Sequence, residues 1–338
     1  MVIMKKFLRW YFNPNNQGRG TIIHLVYLNE SKGGYFVKGR FFWVALGLIG
    51  VSWIVNSMYA YSKQLDEPIF LDHYIDMTYQ DNLYVTFFYL TNKNDTSVIS
   101  SMNAGDLRAY PEQSFGFFNG TNQIYNHQDF GRYVLRSVNV TFYNPYGDQL
   151  DYSATEMDVV FSDGRVLTAP IGYIMTRPSN VDTRPLEFTS GGSSNDNSGQ
   201  EYYRALEPLT IEAVEHSFKN FLQDDFSIKL NTPKTPLDSK VTGATLPDSM
   251  NSEWNDIPGL DLGNVSFPIH LKEHDRISIH RKLPTNLTKV LNVNIYMKGT
   301  TESGKAFTTT TGVITQPYLE KNDVKKIIEK KTRRATNE

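Results

Sequence analysis

The chain has 338 residues, with 34 basic and 36 acidic side chains, and carries a net charge of −2 at pH 7. A balance this close to neutral argues against nucleic acid as a partner, because nucleic-acid-binding domains carry a clear excess of positive charge. The absence of cysteine excludes disulfides and cysteine nucleophiles, and it favours a bacterial envelope protein over a secreted eukaryotic ectodomain of this size.

Residues 1–40 form a basic N-terminal arm, which we expect to lie in the cytoplasm. The arm carries seven basic residues against the single acidic Glu30, and the positive-inside rule places such a flank on the cytoplasmic side. Lys32, Lys38 and Arg40 come last before the next segment and are predicted to set the topology. One interpretation is that the arm docks on another cytoplasmic or membrane-surface protein. The alternative is a loosely ordered tail that lies along the lipid surface.

The segment Phe41–Ser62 is predicted to be a membrane-spanning helix. It contains no charged side chain, and at about 1.5 Å per residue it covers roughly 33 Å, enough to cross a hydrocarbon core of about 30 Å. Because it follows a long arm and exceeds the length of a signal-peptide core, an uncleaved signal anchor is favoured over a cleaved signal peptide. We therefore expect a single pass through the inner membrane, with the rest of the chain periplasmic or extracellular. Amphipathic rings favour the headgroup level, and the predicted anchor residues are Trp43, Trp53, Tyr59 and Tyr61.

Residues 63–178 are predicted to form a first β-rich extracytoplasmic module. Leu83–Leu90 and Tyr133–Tyr143 are rich in β-branched and aromatic residues, and Asp163–Gly164 lies between two apolar runs, as in a β-hairpin turn. The segment Ala109–Gln128 has many Gly, Asn and aromatic residues without a clear period, which indicates an ordered loop or an interaction segment. Its candidate partner-binding residues are Phe115, Phe117, Phe118 and Tyr125.

The composition of residues 179–204, which include many Gly, Ser and Asn, predicts a flexible linker. Residues 205–320 are predicted to form a second β-rich module with a short amphipathic helix over 209–223, because apolar residues there recur at helical spacing after Pro208. Further strands are predicted toward the end of the module, at Arg276–His280, Lys289–Lys298 and Ala306–Thr315.

Residues 321–338 form a basic C-terminal tail. It is interpreted as a solvated, frayed end, and the alternative is a helix over about residues 322–331 that meets an acidic partner.

The pattern H-x-x-E-H at residues 270–274 matches an inverted zinc-protease motif, in which a helix brings two histidines to one metal ion. Here Ile269, Leu271, Ile277 and Ile279 alternate with polar residues, as in strands, where positions four apart are separated by about 13 Å. We therefore expect surface histidines on a strand or turn. No nucleophile elbow, phosphate-binding loop or calcium loop occurs in the sequence. The sequence predicts no catalytic residues, no metal site, no cofactor and no enzymatic activity.

The expected fold is mainly β with a few short helices: one N-terminal transmembrane helix followed by a β-rich extracytoplasmic region. A weak internal similarity between residues 157–178 and 293–317 favours two tandem β-sandwich-like modules over one sandwich with a large insertion. The leading hypothesis is a non-enzymatic, single-pass membrane scaffold subunit. Its expected partners are the membrane and other membrane or envelope proteins, with which it forms a hetero- or homo-oligomeric complex. Its layout is similar to that of scaffold subunits in bacterial secretion or conjugation machines, although no motif identifies a family. The alternatives are a membrane-anchored module that binds glycan or another envelope ligand and, last, an anchored hydrolase.

Overall fold

The protein is described by a computed structural model. Its chain divides into two units, Met1–Lys63 and Gln64–Glu338, and each is described by itself. The residues that the structure describes are 39–78, 83–105, 107–112, 125–143, 152–177, 184–194, 197–222, 225–233, 253–284 and 286–337.

In the first unit, helix α1 spans Gly39–Tyr61. No proline or charged residue interrupts it after Arg40, and its side chains from Phe41 onward are exposed all around. The stretch Phe41–Tyr61 is long and apolar enough for a single membrane span, with a mean hydropathy of 1.7. The predicted apolar helix is therefore confirmed.

The second unit is built mainly from strands, which confirms the predicted mainly-β fold with its β-sandwich-like sheets. It adds a one-turn helix, α2 (Lys219–Leu222), and a longer helix, α3 (Lys321–Asn337). The strands are β1 (Ile69–Phe70), β2 (His73–Thr78), β3 (Leu83–Asn92), β4 (Ile99–Ala104), β5 (Leu107–Pro111), β6 (Tyr125–Asp129), β7 (Tyr133–Tyr143), β8 (Tyr152–Phe161), β9 (Val166–Arg177), β10 (Leu186–Ser193), β11 (Ser198–Ala205), β12 (Leu209–His216), β13 (Ser227–Asn231), β14 (Leu260–Asp261), β15 (Ile269–Leu271), β16 (Arg276–Lys282), β17 (Val290–Thr301) and β18 (Ala306–Ile314).

Among the described residues, the larger sheet contains 13 strands in the order β1-β3-β7-β5-β4-β8-β9-β2-β17-β12-β15, with β6 paired to β7 and β18 paired to β17. Strand β2 pairs in parallel with both β9 and β17, so it joins the strands of the two predicted modules. The backbones of β2 and β9 lie very close together at Gly172, where a Cβ atom would be 2.4 Å from the carbonyl oxygen of His73. Only glycine fits there, also because its φ is +97°.

The smaller sheet, in the part of the chain that the structure describes, has five antiparallel strands in the order β10-β11-β16-β13-β14. Its apolar side chains share one core with those of β12, β17 and β18, whereas a second core is formed by residues of β1–β5 and β7–β9. Strand β2 places strands from both predicted modules in one sheet, although the two parts have separate cores. The division of the chain into two modules therefore stays a prediction.

The predicted linker and the predicted helix are both corrected. Residues 179–204 include β10 and most of β11, which pair antiparallel as a hairpin despite their Gly-rich composition. Residues 209–216 form strand β12, and the only helix among the described residues of the predicted range is the single turn α2. A β-bulge between Ile211 and Ala213 shifts the alternation, so Leu209, Ile211 and Val214 all face the core. The bulge thus places buried residues three apart, which imitates helical spacing.

The C-terminal tail is a docked helix rather than a frayed end. Val324 is buried with Leu71 and Leu319, and further apolar residues of α3 pack beside it. Lys331 and Lys330 lie 2.9 and 3.2 Å from the carboxylate of Asp72. Burial would raise the pKa of Asp72, but the two ammonium groups lower it overall. Helix α3 is amphipathic, and its apolar side packs against the β-rich unit.

Candidate functional site

Three exposed tyrosines form a cluster on the larger sheet, here called the tyrosine surface. It consists of Tyr84 on β3, Tyr110 on β5 and Tyr143 on β7, and these residues are 63%, 50% and 58% exposed. Large aromatic side chains usually bury most of their area in a folded protein. Three exposed ones on adjacent strands therefore indicate a binding surface.

Strand register brings the three tyrosines around Thr141 of β7. Tyr84 and Tyr110 are both direct cross-strand partners of Thr141, one on each side. Because neighbouring strands lie about 4.8 Å apart, the Cα atoms of Tyr84 and Tyr110 are separated by roughly 10 Å. Tyr143 follows Thr141 by two residues and so points to the same face of the sheet. The rings consequently share one continuous patch.

The patch stands on a rigid support. Val85, Ala109, Val140 and Phe142, which neighbour the patch residues along their strands, are all buried in the core on the opposite face. Strands β3 and β7 pair without interruption over the whole length of β3. The backbone positions of the tyrosines are thus set by sheet pairing and core packing rather than by a loop.

Polar groups surround the rings. The hydroxyl of Thr86 donates to the Asn139 side-chain oxygen at 2.7 Å, and Arg108 is the cross-strand partner of Tyr143. A surface that combines tyrosine rings with hydroxyl, amide and guanidinium groups has the composition of protein-recognition surfaces.

The other end of the same sheet face is covered. Phe88 and Leu90 of β3 are buried with Leu319 and Val324, which precede and belong to α3. The side chain of Gln128 accepts from the Leu319 N–H at 2.9 Å and holds this segment in place. The C-terminal region therefore covers one part of the face and leaves the tyrosine surface open to solvent.

A second polar cluster lies where β2 joins the two parts of the sheet. The buried carboxylate of Asp76 accepts hydrogen bonds from the hydroxyls of Ser217 and Tyr296, and Arg177 lies 3.3 Å from it as an ion-pair partner. Burial and the hydrogen bond to Asp76 raise the pKa of Tyr296 to about 12. The Asn294 side chain also donates to the Asp76 backbone oxygen at 2.9 Å. These contacts tie β2 to β17 and to the residue after β12, which is a structural role.

The histidines of the H-x-x-E-H pattern lie on a strand and in the following turn, as expected. His270 belongs to β15, where its Nδ1 lies 3.0 Å from the Thr210 hydroxyl. His274 adopts a φ of +70° in the turn. Within the described ranges, no group of three or more His, Cys, Asp or Glu residues could hold a metal ion.

The predicted site residues are distributed as follows. Trp43, Trp53, Tyr59 and Tyr61 lie exposed on α1, and their role as membrane anchors stays a prediction. The topology residues Lys32 and Lys38 lie outside the described residues, as does the side chain of Arg40. Phe115, Phe117 and Phe118 also lie outside them, and Tyr125 begins β6 with its side chain not described.

Sequence reasoning did not predict the tyrosine surface. It favoured the segment Ala109–Gln128, which contains Tyr110 but neither Tyr84 nor Tyr143. A local signal was present: Tyr84 lies between the core residues Leu83 and Val85, and Tyr110 and Tyr143 each follow a core residue. An aromatic residue at the outward position of an alternating strand is exposed by the pleat itself.

Comparison with known proteins found no matching family model and no matching curated protein. Among solved structures, the YadV chaperone overlaps 72% of this chain and 98% of its own, at 10% identity and a TM-score of 0.19. The CupB2 chaperone of Pseudomonas aeruginosa overlaps 72% and 98%, at 7% identity and a TM-score of 0.17. The Enterococcus faecalis MSCRAMM ACE, which binds its ligands by the collagen Hug model, overlaps 76% and 96%, at 7% identity and a TM-score of 0.18. Such low TM-scores carry no conclusion about function.

Proposed function

We propose that this chain is a non-enzymatic, single-pass membrane scaffold subunit of a bacterial envelope-spanning assembly of the secretion or conjugation type. Helix α1 anchors it, the basic arm lies in the cytoplasm, and the β-rich unit binds other envelope proteins on the outer side. The observation that carries the proposal is the cluster of Tyr84, Tyr110 and Tyr143 on a rigid sheet.

The tyrosine surface is large enough to form the centre of a protein interface. A tyrosine buries roughly 150–250 Å² when fully covered, and these three are 63%, 50% and 58% exposed. They therefore offer on the order of 250–430 Å², about a third to a half of the roughly 800 Å² that one partner contributes to a standard interface. Tyrosine has few rotatable bonds, and fixing it on a sheet costs little further entropy on binding. Arg108, beside Tyr143, supplies a cation that can pair with an acidic group of the partner.

The test is recovery of partners from cells. The full chain is crosslinked gently in its membrane, purified in mild detergent and compared with a variant that carries Tyr84→Ser, Tyr110→Ser and Tyr143→Ser. Interface tyrosines often contribute about 2 kcal/mol each, so the variant should lose its outer-side partners. The matched control is Tyr318→Ser, since Tyr318 is 74% exposed outside the surface, and it should keep them. Equal recovery with the triple variant would contradict the proposal.

A glycan is the alternative ligand, and one observation favours it. Exposed aromatic faces flanked by Arg108 and Asn139 combine stacking with polar contacts, as sugar recognition requires. Binding of the full chain to purified cell-wall glycan, lost in the triple tyrosine variant without any change in crosslinked proteins, would favour this function over the scaffold.

A further inference from the structure

Strand β18, Ala306–Ile314, is a long edge of the larger sheet. Within the described part of the chain it pairs with β17 alone, through nine consecutive residue pairs without a bulge. Its second edge therefore carries backbone groups that no described strand satisfies. Such an edge is a template for another strand.

The hydrogen bonds at the two ends of the β17–β18 ladder show which residues of β18 direct their backbone N–H and C=O groups away from β17. The Thr301 N–H donates to the Lys305 oxygen at 2.9 Å, and the Thr315 N–H donates to the Leu291 oxygen at 2.8 Å. Hydrogen-bonded pairs alternate along an antiparallel ladder. Odd-numbered residues of β18 thus bond to β17, and the even-numbered residues from Ala306 to Ile314 direct their N–H and C=O groups outward.

Strand β18 lacks the features that normally protect an edge. Its sequence, AFTTTTGVI, contains no charged residue and no proline. The other described terminal strands are protected. Strands β1, β14 and β15 have only two or three residues, and β6 and β10 are both bulged. Protection by shortness, charge or a bulge is the usual means of preventing edge pairing. Among these edge strands, β18 alone lacks such protection, which indicates that its edge pairs with another strand.

We propose that the outer edge of β18 is a dimerisation surface, and that it binds β18 of a second copy of this chain in antiparallel orientation. With the two-fold axis at Thr310, the strands overlap completely, Thr308 opposes Gly312, and Ala306 opposes Ile314. The pairing brings no like charges together. It also places the Ile314 side chain, which is 74% exposed in the single chain, beside Ala306 of the second copy.

Self-pairing fits this edge better than pairing with a different protein. A two-fold contact requires a surface complementary to itself, and an uncharged strand with threonines at its centre meets that condition, because opposed threonines pair favourably. This inference is independent of the tyrosine surface, which lies on different strands.

Cysteine crosslinking tests the proposed register. The chain has no cysteine, so Thr310→Cys introduces a single thiol. Hydrogen-bonded antiparallel partners have Cα atoms about 5.5 Å apart, within the range of roughly 4.4–6.8 Å for disulfides. Mild oxidation of full-length T310C in membranes should give a band at twice the monomer mass. Ser153→Cys, an exposed residue of β8, should stay monomeric under the same conditions. A T310C variant that reacts with maleimide but stays monomeric, or that crosslinks to another protein, would overturn the proposal.

A charge placed on the edge gives a second measurement. In sedimentation of the full chain in detergent, the wild type and Thr310→Val should both dimerise, since valine keeps the shape and neutrality of the strand. Thr310→Lys should weaken the dimer by about tenfold or more, because two ammonium groups would meet at the axis. A monomeric wild type, or equal dimerisation of the valine and lysine variants, would also refute the proposal.

Discussion

Buried His73 predicts that the β-rich unit loses stability in acid. The imidazole Nδ1–H donates to the Leu71 oxygen at 2.7 Å, and Nε2 accepts from the Phe88 N–H at 3.0 Å. Both ring nitrogens are satisfied in the neutral form. Protonation would place an N–H against the N–H of Phe88, inside a core with no exposed part of the ring.

The size of the stability loss in acid follows from the pKa of His73. Burial lowers it from 6.5 to about 4, although the Leu71 carbonyl and Asp72 oppose the shift. Between these values the unfolded chain binds more protons than the folded chain, so the free energy of unfolding falls as the pH falls from about 6.5 to 4. A difference of about 2.5 pKa units corresponds to a loss of roughly 3 kcal/mol. Burial lowers the pKa of His280 to about 4 as well, so His73 accounts for only part of the total slope.

Urea unfolding of the full chain in detergent, followed by the β-strand circular dichroism signal, measures the slope at pH 7, 6, 5 and 4. His73→Leu should lower the stability at neutral pH and remove about 3 kcal/mol of its decline toward pH 4. The matched control is Ile75→Ala on the same strand, a buried residue whose loss should lower stability equally at each pH. A His73→Leu profile parallel to the wild type would refute this reasoning.

Two substitutions at the strand β2 junction give further predictions, both measured by the same urea assay at pH 7. Asp76→Ala removes the acceptor of two hydroxyl donors and should lower the free energy of unfolding by about 3 kcal/mol, whereas Glu215→Ala, at the exposed Lys298 ion pair, should change it little. Gly172→Ala should cost about 2 kcal/mol or more, because its Cβ would overlap the adjacent strand. Gly131→Ala has a similar positive φ but open space around it, and should cost only about 1 kcal/mol. Equal effects within either pair would contradict the structural argument.

Secondary-structure elements that are determined by residues close together in the sequence were predictable from the sequence. An uninterrupted apolar stretch can satisfy its backbone groups internally as a helix, so α1 followed from composition. The strand Tyr133–Tyr143 and the turn at Asp163–Gly164 were also predicted, because alternation and turn residues act over short distances. The helix predicted over 209–223 failed where one bulged residue changed the local period.

The amino-acid sequence by itself determined the apolar helix at Phe41–Tyr61 and the mainly-β character of the residues that follow it. Both features follow from the local pattern of apolar, polar and charged residues. Tertiary structure decided the rest. Tyr84, Tyr110 and Tyr143 are far apart in the chain, and only the register around Thr141 gathers them into one surface. In the same way, β18 lies at an edge of the larger sheet because, among the described strands, it pairs with β17 alone, while β12 and β2 pair with the other side of β17. Strand pairing joins residues that are distant in sequence, and no local pattern records which strands become neighbours.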